Sequence, residues 1–126
     1  MILKGIVGHG KEKGRLIGFP TANLELEDGT DLKLSNIRLG VYASKVKVLG
    51  QVFIGITNVG QRPTADNDDT ITIETYILSF SGDLYGEPME VELCEYLRGL
   101  HKFESMNELA EQLKKDCISA RQILSR

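Results

Sequence analysis

Apolar positions recur in this 126-residue chain at two different spacings, and the change comes at Ser105. Up to about Gly99 the pattern is short β-branched or alternating runs, each cut off by a glycine-rich or acidic turn. Ile2 to Val7 is a short apolar strand ended by Gly8. Asn23 to Leu26 alternates and stops at Glu27-Asp28-Gly29. Gly40 to Leu49 and Gln51 to Val59 meet at Gly50, which signals a hairpin. Thr70 to Phe80 is the longest predicted strand, and Met89 to Leu97 follows the turn Ser81-Gly82-Asp83. About six strands joined mostly by short turns predict an antiparallel sheet closed into a small barrel. No stretch has the βαβ pattern of a dinucleotide-binding fold.

Beyond Ser105 the spacing becomes three and four. Met106, Leu109, Ala110, Leu113, Cys117, Ala120 and Leu124 form one stripe, with Glu111, Lys114, Lys115 and Arg121 on the other side. Ser105 and Glu108 make a Ser-x-x-Glu capping box at its start. The expectation is one domain over residues 1–126, with a mostly β barrel over about 1–99 and a helix over about 105–124 packed on it. The helix is assigned no chemistry.

Charge and composition narrow the partners. The net charge is −3 and the only basic cluster runs from Lys11 to Arg15, which argues against nucleic acid as the main partner. No window has the length of apolar sequence that spans a bilayer, and Met1 does not begin a secretory leader pattern. Cys94 and Cys117 have neither metal-type nor redox-type spacing, and they are expected to be reduced core thiols in a cytoplasmic protein. His9 and His101, widely separated and without a nucleophile beside them, are assigned surface or loop roles.

Three places could carry chemistry. In Gly10-Lys11-Glu12-Lys13-Gly14-Arg15-Leu16-Ile17-Gly18, glycines and cations in one polar loop could wrap phosphate. The loop runs directly into Phe19-Pro20-Thr21-Ala22-Asn23, where a hydroxyl and a carboxamide two residues apart are hard oxygen donors of the kind Mg²⁺ accepts. It fits neither the dinucleotide fingerprint nor a Walker A loop. The second place is Glu74, a carboxylate in mid-strand. Alternation puts it with Thr72, Tyr76 and Leu78 on one face, and Ile71, Ile73, Thr75 and Ile77 on the other. A solvent-facing acid at the barrel rim and a general base are both consistent with that position. The third is Asn58-Val59-Gly60-Gln61-Arg62-Pro63-Thr64, read as a turn rich in hydrogen-bonding groups at a strand end. Asp66, Asp68 and Asp69 read as a solvated acidic loop. Arg98 and Phe103 stand where a cation and a ring could meet a ligand, or where a phenylalanine could staple the helix.

The ordered set of blocks resembles the riboflavin kinase (flavokinase) family from Gly5 to about Leu124. The blocks are Gly5-x-Val7, Gly10 to Asn23, Gly40-Val41-Tyr42, Asn58-x-Gly60-x-x-Pro63-Thr64, Glu74, Asp83-Leu84-Tyr85-Gly86, Leu97-Arg98 and Lys102-Phe103. The resemblance implies a six-stranded Greek-key barrel with a C-terminal helix, and transfer of the ATP γ-phosphoryl group to the ribityl hydroxyl of riboflavin, giving FMN and ADP. It implies Thr21 and Asn23 at Mg²⁺ and the nucleotide phosphates, and Glu74 as the base. Gly10, Lys11, Gly14, Arg15, Gly18 and Asn58 would lie on the nucleotide side, and Arg98 and Phe103 beside the flavin. In bacterial relatives it also implies an adenylyltransferase domain in a longer parent chain. The alternative is a flavin- or nucleotide-binding regulatory module that keeps the barrel without turnover, and a further rival is a barrel interaction domain with no ligand.

Overall fold

A computed structural model describes residues 1–8, 21–27, 37–63 and 69–125 of the chain. Its elements are β1 (Ile2–Gly8), β2 (Ala22–Leu26), β3 (Gly40–Val48), β4 (Gln51–Pro63), β5 (Asp69–Ile77), β6 (Pro88–Arg98) and α1 (Met106–Leu124). The six strands close into an antiparallel barrel in the order β1-β2-β5-β4-β3-β6. β3, β4 and β5 form a meander, and β6 returns to lie beside β3, which is the Greek-key arrangement.

Alternation sorts the side chains as a barrel requires. Leu3 and Val7 of β1, Leu24 of β2, Val46 and Val48 of β3, Val59 of β4, Ile73 and Ile77 of β5, and Met89 and Val91 of β6 fill the interior. A second cluster lies on the outer surface, where Val41, Ala43, Ile56 and Leu78 meet Ala120 of α1, with Cys117 and Leu124 alongside. The helix therefore covers part of the outside of the barrel. It starts where the sequence indicates: Ser105 Oγ accepts from the Glu108 backbone N–H at 3.2 Å. The Glu108 carboxylate reaches back to the Glu104 N–H at 3.0 Å, one residue earlier than a standard capping box.

Several expectations need correction. β4, not β5, is the longest strand. The predicted strand Gln51 to Val59 runs on to Pro63 because β5 pairs with it as far as Pro63↔Asp69, so Gly60 to Pro63 are strand residues and not a turn. β5 ends at Ile77 instead of reaching Phe80; the Leu78 N–H still bonds to Ile54 O at 2.9 Å, but Ser79 takes a positive φ of 61°. Cys94 is exposed and not a core thiol, because β6 turns Met89, Val91 and Leu93 inward and so puts Cys94 on the outer face with Glu92. Met106, assigned to the apolar stripe of α1, is 40% exposed, whereas Asp116 on the same helix is buried.

Candidate functional site

Strand register brings most of the described site residues into one line. Gly8 of β1 is opposite Asn23 of β2, and Asn23 is opposite Glu74 of β5. Glu74 is opposite Asn58 of β4, Asn58 opposite Val41 of β3, and Val41 opposite Arg98 of β6. Directly opposed residues project to the same face with Cα atoms about 4.5–5.5 Å apart. The row thus crosses all six strands, and its face is the outer one, because Val41 packs under α1 while Val7, Leu24, Val59 and Ile73 point inward. Asn23 and Glu74 are half-buried and Asn58 is exposed. The result is a carboxylate flanked on both sides by carboxamides, each on a neighbouring strand.

Thr21 lies just before β2, exposed, and next to Ala22, which pairs with Thr75. Its hydroxyl and the Asn23 carboxamide are neutral oxygen donors two residues apart, and Asn23 is opposite the Glu74 carboxylate. That donor set suits a hard cation whose other positions are filled by phosphate and water. Gly10, Lys11, Gly14, Arg15 and Gly18 lie outside the described residues, as does His9.

At the other end of the row Arg98 is already engaged. Its Nε donates to both carboxylate oxygens of Asp116 at 3.1 Å, and its Nη2 donates to Oδ2 at 2.8 Å. Asp116 is 3% exposed and also accepts from Gln112 Nε2 at 3.0 Å. The Arg98 guanidinium carbon is 5.7 Å from the Phe103 ring centroid, within cation–π range, and His101 meets the same ring edge-on at 4.9 Å. Arg98 and Phe103 are therefore brought together at the β6–α1 junction. The carboxylate that orients Arg98 was missed in the sequence, where a charged residue in a helix reads as solvated surface. Only its burial, and a partner from another element, reveal its role.

A shallow cleft of about 380 Å³ lies away from this row, at the opposite ends of β2 and β3. It is lined by residues such as Lys4, Glu27, Lys47 and Pro88, and the ion pair Lys4–Glu90 in it, at 3.5 Å, is exposed on both sides. Nothing in it resembles the ordered polar row. Among the described residues no helix is long and apolar enough to cross a membrane.

The fold and the row define a class: a small closed Greek-key barrel with a row of polar side chains on its outer face, next to a docked helix. Comparison with known proteins gives the family. The riboflavin kinase (flavokinase) family model matches residues 1–124, and the chain belongs to that family. A bifunctional riboflavin kinase/FMN adenylyltransferase of Listeria monocytogenes is 39% identical over 90% of this chain and 35% of its own length. An RNA-binding riboflavin kinase of Bacillus subtilis is 36% identical over 95% of this chain and 50% of its own. The chain thus spans about a third to a half of the length of these curated relatives. Among solved structures, a Streptococcus pneumoniae protein named as a macrolide-efflux protein matches with a TM-score of 0.85 and 36% identity, over 95% of this chain and 38% of that one. A Trypanosoma brucei riboflavin kinase shares the fold with a TM-score of 0.70 at 24% identity, covering 99% of this chain and 80% of that one.

Proposed function

We propose that this chain is an ATP:riboflavin 5'-phosphotransferase, moving the γ-phosphoryl group of ATP to the primary ribityl hydroxyl and releasing FMN and ADP. The observation that carries the reading is the register of the outer row, which seats Glu74 between Asn23 and Asn58. A base for a substrate hydroxyl has to lie within hydrogen-bond reach of it, and phosphoryl transfer otherwise depends mainly on positioning and charge neutralisation.

The step balances simply. The ribityl oxygen forms a bond to the γ-phosphorus, the bond from that phosphorus to the β–γ bridging oxygen breaks, and the hydroxyl proton passes to the Glu74 carboxylate. ADP leaves with the electron pair of the broken bond. Asn58 and Asn23 flank the carboxylate on the two neighbouring strands. Thr21 and Asn23 are the residues that would hold Mg²⁺, which when bound neutralises phosphate charge. The loop carrying Gly10, Lys11, Gly14, Arg15 and Gly18 is assigned to the nucleotide, and Arg98 with Phe103 to the flavin. Phe103 offers an aromatic surface on which an isoalloxazine ring can stack.

These substrates suit a cytoplasmic enzyme. In a longer parent chain, an adenylyltransferase domain would consume the FMN made here, as the names of the bifunctional relatives suggest. RNA binding is stated of the B. subtilis relative, half of whose length lies outside the match. The direct test incubates the purified chain with riboflavin, ATP and Mg²⁺ and separates flavins by chromatography. FMN that appears only when ATP is present supports the reading. Riboflavin binding without any FMN would favour a regulatory module instead.

A further inference from the structure

On the interior side of the sheet that carries Glu74, three hydroxyls form a continuous chain. Ser44 Oγ is 2.8 Å from Thr57 Oγ1, which is 2.9 Å from Thr75 Oγ1. All three residues are 0% exposed, in an interior otherwise filled by side chains such as Val46, Val59, Ile73 and Ile77. Gly55, opposite Ser44 and Ile77, leaves the space they occupy. A Cβ at Gly55 would lie 2.7 Å from Val46 Cγ2, 3.0 Å from Ser44 Oγ and 3.1 Å from Thr75 Cγ2.

The sequence neighbours of these hydroxyls matter. Thr57 and Thr75 are direct cross-strand partners. Asn58 follows Thr57, and Glu74 precedes Thr75, so each inner hydroxyl sits one residue from a member of the outer polar row. Apolar alternation alone rejects a one-residue slip of β5, which would turn Glu74 inward. It discriminates poorly against a two-residue slip of β5 along β4, which re-forms the backbone ladder, or against a small shear that the ladder bonds absorb, because contacts among valines and isoleucines are not directional. A hydroxyl–hydroxyl bond is directional and short, and such a slip or shear weakens it or leaves a buried hydroxyl unpaired.

We propose that Ser44, Thr57 and Thr75 are positioning residues whose buried hydroxyl chain fixes the height of β5 against β4 and so holds the Glu74 carboxylate beside Asn58. The proposal rests on the reading of Glu74 as the base. The chain of hydroxyls specifies one arrangement of the strands where an apolar interior would accept several. It touches no substrate and acts only through the strands it joins.

The test is a variant that removes all three hydroxyls together, Ser44→Ala/Thr57→Val/Thr75→Val, so that no buried hydroxyl is left without a partner. Its thermal midpoint is expected to equal or exceed that of the parent, with KM for ATP and riboflavin nearly unchanged. Its kcat is expected to fall roughly ten- to a hundredfold, as a small misplacement of a reacting group does. Thr75→Ser keeps the hydroxyl and should keep kcat. Glu74→Gln is measured in parallel. Parental kcat in the triple variant, with Glu74→Gln inactive, overturns the positioning role and leaves the base assignment standing. Undiminished turnover in Glu74→Gln overturns both. If the triple variant does not fold, Thr75→Val is compared with Thr75→Ser per folded molecule. A loss of kcat in the valine variant alone supports the proposal, and equal kcat in the two overturns it.

Discussion

Asp116→Ala is the substitution whose cost can be argued most fully. The carboxylate is almost completely buried, at 4% side-chain exposure, and the Arg98 side chain that meets it is 21% exposed. Truncation removes three charge-assisted contacts, at 3.1, 3.1 and 2.8 Å, and the Gln112 bond at 3.0 Å. Breaking a buried ion pair by removing one partner costs about 3–5 kcal/mol, mostly because the other charge stays behind. Here the guanidinium keeps some access to water, so the expected loss falls below that range, at about 2–3 kcal/mol. For a chain of 126 residues, an unfolding entropy of about 2.1 cal/mol/K per residue converts this to a fall in Tm of roughly 8–11 °C. Replacing both partners, Arg98→Met with Asp116→Leu, should recover most of the loss, since no charge is then stranded. Thermal and denaturant unfolding of Arg98→Met, Asp116→Leu and the double variant give the coupling directly. A change of Tm below about 2 °C in Asp116→Ala would refute the assignment of this pair as the clamp between α1 and β6. The same variant should raise KM for riboflavin more than KM for ATP, because Arg98 and Phe103 are assigned to the flavin.

Asn58→Ala should lower kcat by at least about tenfold by removing one flank of Glu74, with the barrel still folded by circular dichroism. Gly5→Ala should be strongly destabilising, because its Cβ would sit 2.0 Å from the Glu25 carbonyl oxygen. Gly50→Ala, with nothing within 4 Å but a φ of +72°, should cost only about 1 kcal/mol of backbone strain; equal chemical-denaturation midpoints for the two variants would contradict the account. Burial first, and then the Asp116 carboxylate, push the Cys117 thiol above its ordinary value against the opposing pull of Arg121. Burial and then Glu92 do the same for Cys94 against Lys45. The folded state then keeps these protons longer than the unfolded chain, so the stability they contribute is intact below the unfolded thiol pKa and is lost as pH rises through it toward the higher folded values. Cys94→Ala/Cys117→Ala should flatten the alkaline decline of the denaturation midpoint, and an unchanged slope would count against this.

The strand pattern and the helix were legible in the sequence because each repeats its own period, two for the barrel and three to four for α1. Glu74 was visible as the acid interrupting a strand, and Asn23 as part of a proline-led block. The end of β4 was misplaced at Val59 because Gly60 and Pro63 are turn residues by type, and only pairing with β5 extends the strand through them. Asp116 was hidden for a related reason. A charged residue at a helical position reads as solvated until a cation from another strand is seen beside it. The hydroxyls of Ser44, Thr57 and Thr75 obey alternation, and nothing in a linear pattern shows that three of them meet.

The most direct measurement of the central claim is single-turnover phosphoryl transfer from γ-labelled ATP to riboflavin, with flavin affinity measured by fluorescence, in the parent chain and in Glu74→Gln. The account predicts labelled FMN from the parent, and from the variant a loss of transfer of about a hundredfold or more with riboflavin affinity within about threefold. Transfer at the parental rate by Glu74→Gln, or loss of binding and transfer in equal measure, would contradict the assignment of the Asn23–Glu74–Asn58 row as the reacting centre.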